Sequence, residues 1–193
     1  MRLDCAQKYG SPSRRGLASR RAEAHDVNVR IRRLRAVDLD CLLELFGSVA
    51  AERVHIATEP GFDKTRYRER WQATIDSKSE PCFVAVDGKR IIGELSIFEN
   101  LAHGPTLGMI VDADYRRRGI GRKLISTALN WARRHGVSKL SLRVFPHNCA
   151  AIALYESTGF RIIEHLKRDV PRANGEMWDS ILMQADLELA DEL

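Results

Sequence analysis

The chain has 193 residues, a formal net charge of +5, and 44% hydrophobic and 30% charged residues. That length suits one domain with a core of its own, and the composition is that of a folded protein rather than a collagen-like or low-complexity one. The apolar runs, such as GMIV and AIAL, are too short to cross a bilayer as a helix.

The charge is unevenly placed. Residues 1–35 hold ten Lys/Arg against three Asp/Glu, so the remainder of the chain is slightly acidic. Up to about Asp26 there is no hydrophobic periodicity, and Ser, Arg, Gly and Ala dominate. This predicts a disordered basic extension over 1–26, or a start upstream of the true domain, ahead of a folded domain over 27–193. A tail for nucleic acid or membrane surfaces and an Arg/Ser-rich transit peptide are the alternatives. Cys5, Cys41, Cys82 and Cys149 lack the spacing of a metal-binding pair, and no secretory segment stands out. They read as reduced thiols in a cytoplasmic protein without a metal site.

A strand is predicted in VNVRIRRLR from Asn28, with its inner face open between the two alternations. Asp38 is placed to cap a helix carrying Leu39, Leu42, Leu43 and Phe46 on one side. HIATEPGFD is a loop around Pro60-Gly61, and a second helix follows over 65–77 with Tyr67 and Trp71. Phe83, Val84 and Val86 form a strand, Asp87-Gly88 a hairpin turn, and RIIGELSIF the returning strand. TLGMIV is the next strand, closed by Asp112. From Gly119 the period changes: Ile120, Leu124, Ala128 and Trp131 mark an amphipathic helix stopped by Gly136. KLSLRVF is a strand, 148–157 a helix with Gly159 beyond it, and FRIIEHL and MWDSILMQADL two final strands. The strand–helix–strand in the middle implies a parallel pair joined by a right-handed crossover, hence a mixed α/β fold around one sheet.

The chemistry concentrates between that first parallel strand and its helix, in DADYRRRGIGRK. Helix N-termini carry unpaired N–H groups and a partial positive charge, and glycines there let a ligand approach the backbone. With Arg116, Arg117, Arg118, Arg122 and Lys123 around it, the turn suits a phosphate or diphosphate. A P-loop is excluded, because no G-x-x-x-x-G-K-[ST] occurs. A dinucleotide fingerprint is excluded too, because its third glycine is replaced by Leu124.

The stretch instead resembles the acyl-CoA pyrophosphate loop, [Q/R]-x-x-G-x-[G/A], of GCN5-related N-acetyltransferases, with Arg116, Gly119 and Gly121 at its defined positions. Downstream, VFPHNCAAIALYESTGF resembles that family's second signature, with Asn148, Tyr155, Gly159 and Phe160 in place. The likeness runs from about Val29 to Leu187. It implies a single mixed, mostly antiparallel sheet with one central splayed parallel strand pair, flanked by helices. It implies acetyl-CoA as acyl donor, without a metal, and a primary amine of a small molecule or a protein as acceptor. By resemblance, the backbone of Met109, Ile110 and Val111 pairs with the pantetheine arm. The stretch Arg116, Arg117, Arg118, Gly119, Ile120, Gly121 and Arg122 holds the pyrophosphate, and Asn148 bonds the pantetheine. Tyr155 protonates the departing thiolate.

The TLGMIV strand carries no acid, although relatives often place a glutamate near there, so the base is expected elsewhere. Glu94 is the first candidate, then Glu99 and His103, and a route through bulk water stays open. The loop ERVHIATEPGFD and the helix after it would roof the acceptor site, with Glu52, Glu59 and Asp63 to attract a cationic amine; RDVPRANGEMWD would form the other wall. A catalytically idle acyl-CoA sensor or adaptor is the alternative function. A membrane partner is not expected, nucleic acid only through the basic N-terminus, and a homodimer stays open.

Overall fold

The computed structural model describes residues 29–188; the basic segment 1–26 expected to be an extension lies outside them. The strands are β1 (Arg30–Arg33), β2 (Cys82–Asp87), β3 (Arg90–Asn100), β4 (Gly104–Val111), β5 (Lys139–Val144), β6 (Arg161–Pro171) and β7 (Met177–Asp186). The helices are α1 (Leu39–Ala51), α2 (Lys64–Ile75), α3 (Ile120–Arg134) and α4 (Cys149–Glu156). The seven strands form one sheet in the order β1-β2-β3-β4-β5-β7-β6, antiparallel except for β4 and β5.

The sheet buries both faces. Leu95, Ile97 and Leu107 pack under α3 through Ile120, Leu124 and Ala128. On the opposite face Val84, Ile91 and Ile110 pack under α1 and α2 through Leu42, Phe46 and Trp71. β3 serves both cores because a bulge at Ile92, between the pairs Ala85–Gly93 and Val86–Ile91, shifts its alternation from one face to the other. Gly93 lets α3 come close, since a Cβ there would lie 3.1 Å from Leu124.

β4 and β5 pair at only two positions, Thr106 with Ser141 and Leu107 with Leu142. Beyond them the strands separate, although β4 continues to Val111 and β5 to Val144. This opens the sheet at the carboxyl ends of the parallel pair, where ligands of α/β sheets bind. The splay implied by the family resemblance is therefore present.

Three local expectations are corrected. Asp38 does not cap α1; its carboxylate turns back to Arg32 (2.8 Å) and the Arg35 N–H (2.9 Å), and the Arg32 guanidinium holds it below the usual carboxylate range. β6 extends past the predicted FRIIEHL to Pro171, with irregularities around Ile162 and between Leu166 and Val170 that break the period sought in the sequence. Cys41 and Cys82 are free thiols, but Cys149 is disulfide-bonded rather than reduced.

Candidate active site

The splay is the mouth of a cleft of about 630 Å³. Its walls are the ends of β4 and β5, the turn before α3, and α4; loop residues His55, Ile56 and Ala57 roof it. Of the residues expected to hold the donor, Met109, Ile110, Val111, Arg116, Arg117, Gly119, Ile120, Gly121, Arg122, Asn148 and Tyr155 all line it. Arg118 does not; its guanidinium lies 5.3 Å from the centre of the Tyr115 ring.

The turn at the head of α3 is built from backbone. Arg117 and Gly119 both have left-handed φ, +62° and +78°. Among the described residues, no acceptor is found for the N–H groups of residues 117–122, and the first bond of the helix is Lys123 N–H to Gly119 O. Six consecutive free amides at a positive helix end form a concave anion site. Gly121 permits the helix start to lie against Leu154 and Met109, both of which line the cleft. A diphosphate on an apolar-bodied arm fits this arrangement: amides for the anion, an apolar slot for the chain.

The side chain of Arg116 does something different from its amide. It makes a two-pronged pair with Glu52 (2.6 and 2.7 Å) and donates through Nε to Val111 O. The acids expected to attract a cationic amine are thus already engaged. Glu52 faces Arg116, Glu59 faces Arg172 at 2.8 Å, and Asp63 caps α2 by accepting from Arg66 N–H. Among the described residues, no carboxylate side chain lines the cleft.

Asn148 caps α4, its side chain accepting from Ala151 N–H. Tyr155 stands on the same side, near the other end of α4, and both side chains reach the cleft. Burial pushes the Tyr155 phenol up to about 12. Its hydroxyl has no partner among the described residues, yet it is not sealed off, so it opens on the cleft. A phenol in that state is protonated at neutral pH and able to donate.

Glu94 is on β3 opposite Val84 and Ile110, beneath α2. It is buried, accepts from Ser96 Oγ and Cys82 Sγ, and is pushed up to about 7 by burial. Neither it nor Glu99 nor His103 lines the cleft. His55 was missed in the sequence. It lines the cleft from the roof, with Nε2 3.2 Å from Glu52 Oε2. Its only sequence signal was its place in a loop expected to cover the acceptor.

The roof is fastened from below. Arg172, in the β6–β7 turn, donates to the carbonyls of Arg53, Ile56 and Ala57 and pairs with Glu59. Its guanidinium stacks 4.2 Å from the Trp178 ring centre. The loop RDVPRANGEMWD, expected as the second wall, thus clasps the first.

A parallel pair splayed over an apolar slot, with free amides at its anionic end, defines a protein that binds an acyl-CoA. Residues 48–160 match the acetyltransferase (GNAT) family, and the chain belongs to it. The [ribosomal protein bS18]-alanine N-acetyltransferase of Escherichia coli K12 is 31% identical over 122 residues, covering 58% of this chain and 82% of the relative. The crystal structure of a ribosomal-protein-alanine N-acetyltransferase from Brucella melitensis is 28% identical with a TM-score of 0.72, covering 82% of this chain and 99% of that one. A phosphinothricin acetyltransferase from Sinorhizobium meliloti, solved with acetyl-CoA, shares the fold at a TM-score of 0.73 and 18% identity, over 86% and 95% of the two chains. The protein is an acetyl-CoA-dependent N-acetyltransferase acting on an amine. Among the described residues, no helix is long and apolar enough to cross a membrane, and no cluster of metal-binding side chains occurs.

Proposed function

We propose that the acceptor is the α-amino group at the amino terminus of a protein, acetylated in a ternary complex in the cytoplasm. The observation that carries this reading is the cleft lining. The acceptor end offers His55, Asn100, Thr106, Ser180 and Arg143, the last already paired with Asp169, among apolar neighbours, and no carboxylate. A polyamine or an amino sugar with several ammonium groups would need acidic partners when desolvated. A chain terminus brings one ammonium and a neutral backbone, which such a lining suits. The relatives named for a ribosomal-protein alanine support the same reading.

The donor binds with its pyrophosphate on the amides of residues 117–122 and its pantetheine along Met109–Val111, where β4 lacks a partner on the β5 side. The Asn148 amide holds the pantetheine. The amine attacks the thioester carbonyl carbon, the C–S bond breaks, and the Tyr155 hydroxyl gives its proton to the departing thiolate. Glu94 contributes to the sheet beneath α2 rather than to the cleft.

The reading is tested by following thiol release with three acceptors: an alanine-initiated peptide, the same peptide N-acetylated but carrying lysine, and spermidine. The free-terminus peptide is expected to have the highest kcat/KM. A preference for spermidine would overturn the assignment.

A further inference from the structure

We propose that His55 is the proton acceptor for the incoming ammonium, oriented by Glu52. The inference rests on the acetyltransferase reading and adds the base that the sequence left unassigned. An ammonium has no lone pair, so a proton must leave before attack.

The titratable side chains lining the cleft are Tyr115, Tyr155, four arginines (Arg116, Arg117, Arg122, Arg143) and His55. Arginine does not give up its proton in proteins, and a tyrosine hydroxyl accepts one only as a phenolate, which forms near pH ~10 or above. Among the described residues, His55 is thus the one cleft side chain able to take a proton at neutral pH. Glu94, Glu99 and His103 do not reach the lining.

The imidazole is also held in place. The roof loop is tied to both sides of the splay. Glu52 is gripped by Arg116, which follows β4 and bonds Val111 O. Val54 O bonds His147 Nε2 at 2.7 Å, just beyond β5. His55 lies between the Val54 tie and the bonds from Arg172 to the carbonyls of Ile56 and Ala57. The Glu52 carboxylate, 3.2 Å from Nε2, favours the tautomer with hydrogen on Nε2 and leaves the Nδ1 lone pair as acceptor. The charged and titratable groups facing the ring are Arg116, Glu52 and His147. Burial, then the Arg116 charge, holds the imidazole below the usual histidine value; Glu52 opposes them. It is therefore neutral at pH 7.

The step balances simply. Nδ1 takes one proton from R–NH₃⁺, giving R–NH₂ and an imidazolium beside Glu52. The amine lone pair then forms the C–N bond as the C–S bond breaks; the thiolate takes the Tyr155 proton, the second nitrogen proton passes through water to restore the phenol, and the imidazolium returns its proton to solvent. An α-amino group near pH 8 yields its proton to an imidazole far more readily than a lysine near pH ~10 does, so this base and a terminal amine suit each other.

The experiment measures kcat and KM against pH with the alanine-initiated peptide at saturating acetyl-CoA, for wild type, His55→Gln and Glu52→Gln. His55→Gln is expected to lose at least about tenfold in kcat/KM at pH 7, toward the ~10²-fold of a general base. It should also lose the acid limb of the profile while binding acetyl-CoA as before. The wild-type limb should fall below pH ~6.5, the ordinary histidine value. Glu52→Gln should move the limb lower still, because the carboxylate raises the ring's proton affinity. A purely structural role would not move the limb. Full activity of His55→Gln with the limb in place overturns the proposal and leaves acetyl transfer standing. A wild type that acetylates spermidine but not the peptide overturns the acceptor reading, and the same three profiles with spermidine then decide His55. Should His55→Gln fail to fold, an unmoved limb in Glu52→Gln overturns the assignment by itself.

Discussion

Gly121, in the first turn of α3, lies directly against Leu154 of α4: a Cβ at 121 would come within 2.9 Å of Leu154 Cδ2 and 3.5 Å of Met109 Cε. The glycine of the proposed pyrophosphate turn is thus also the contact that lets α4 close one wall of the cleft. Gly121→Ala must push Leu154 aside, and the open direction is the cleft. Overpacking costs about 1–3 kcal/mol, toward the lower end here because the obstructing atom ends a flexible side chain. Acetyl-CoA affinity should fall several-fold in a variant that remains folded. Calorimetry beside urea denaturation checks both; unaltered affinity would mean that Leu154 yields away from the ligand.

Gly119 separates shape from charge. Its φ is +78°, and nothing lies within 4 Å of a built Cβ. A side chain there has space but costs about 1 kcal/mol in backbone strain. Gly119→Asp should weaken acetyl-CoA binding at least about tenfold by putting an anion beside the free amides. Gly119→Asn, equal in size and neutral, should recover most of that loss. Equal binding by the two variants would take the pyrophosphate away from this turn.

The order of elements and the parallel pair were legible because each carries a strong local period, and α3 is the plainest case: Ile120, Leu124 and Ala128 face one core, bounded by Gly119 and Gly136. The expected donor turn was legible for a related reason: it is consecutive chain, so Arg116, Gly119 and Gly121 carry the family's pattern within one short stretch. The acceptor end is assembled from a roof loop, a hairpin and a sheet face that meet only in space. Nothing in the order of residues showed that Glu52 would be taken by Arg116, Glu59 by Arg172, or that Glu94 would point beneath α2. A charged residue in a loop has many partners within reach, and the fold chooses among them.

The burial of Glu94 has a measurable consequence. Its carboxyl is pushed up to about 7 in the folded protein by desolvation, against a value near 4.3 when exposed. The folded state therefore holds an extra proton between those limits. This stability is fully present below pH ~4.3 and is lost as pH rises through about 7, amounting to on the order of 3 kcal/mol. Glu94→Gln should remove that contribution and make the protein more stable than wild type at pH 8, with little advantage at pH 4. Urea denaturation at both values checks it. A pH-independent difference between the two proteins would show that Glu94 is not titrating in this range.

Tyr155→Phe removes a hydroxyl that has no partner among the described residues and keeps the ring, which packs edge-on to Phe160 at 5.9 Å. Stability should hardly change. If the phenol protonates the leaving thiolate, kcat should fall at least about tenfold, short of the full range of a general acid because water can substitute. Acetyl-CoA affinity should stay within about twofold, as expected when an interaction made only in the transition state is lost. Wild-type turnover with chemistry limiting would reduce Tyr155 to a wall residue.

Arg172 should govern the acceptor without touching the donor. Its side chain is 3% exposed, and it supplies donors to three roof carbonyls and a partner to Glu59. Arg172→Met fills similar space beside Trp178 but leaves those acceptors unpaired in a buried place. Breaking one side of such a network costs about 3–5 kcal/mol. Glu59 keeps a looser contact with Arg53 at 3.6 Å, which places the loss toward the lower figure. Adding Glu59→Gln should return part of it by removing the stranded charge. Because the clasp holds residues 53–57, the single variant should also raise the acceptor KM severalfold, while the amides of residues 117–122, on the far side of the cleft, keep their hold on acetyl-CoA. Calorimetric binding of acetyl-CoA and steady-state kinetics on the same preparation separate the two effects. Equal losses in both would mean that the clasp supports the whole cleft rather than its roof.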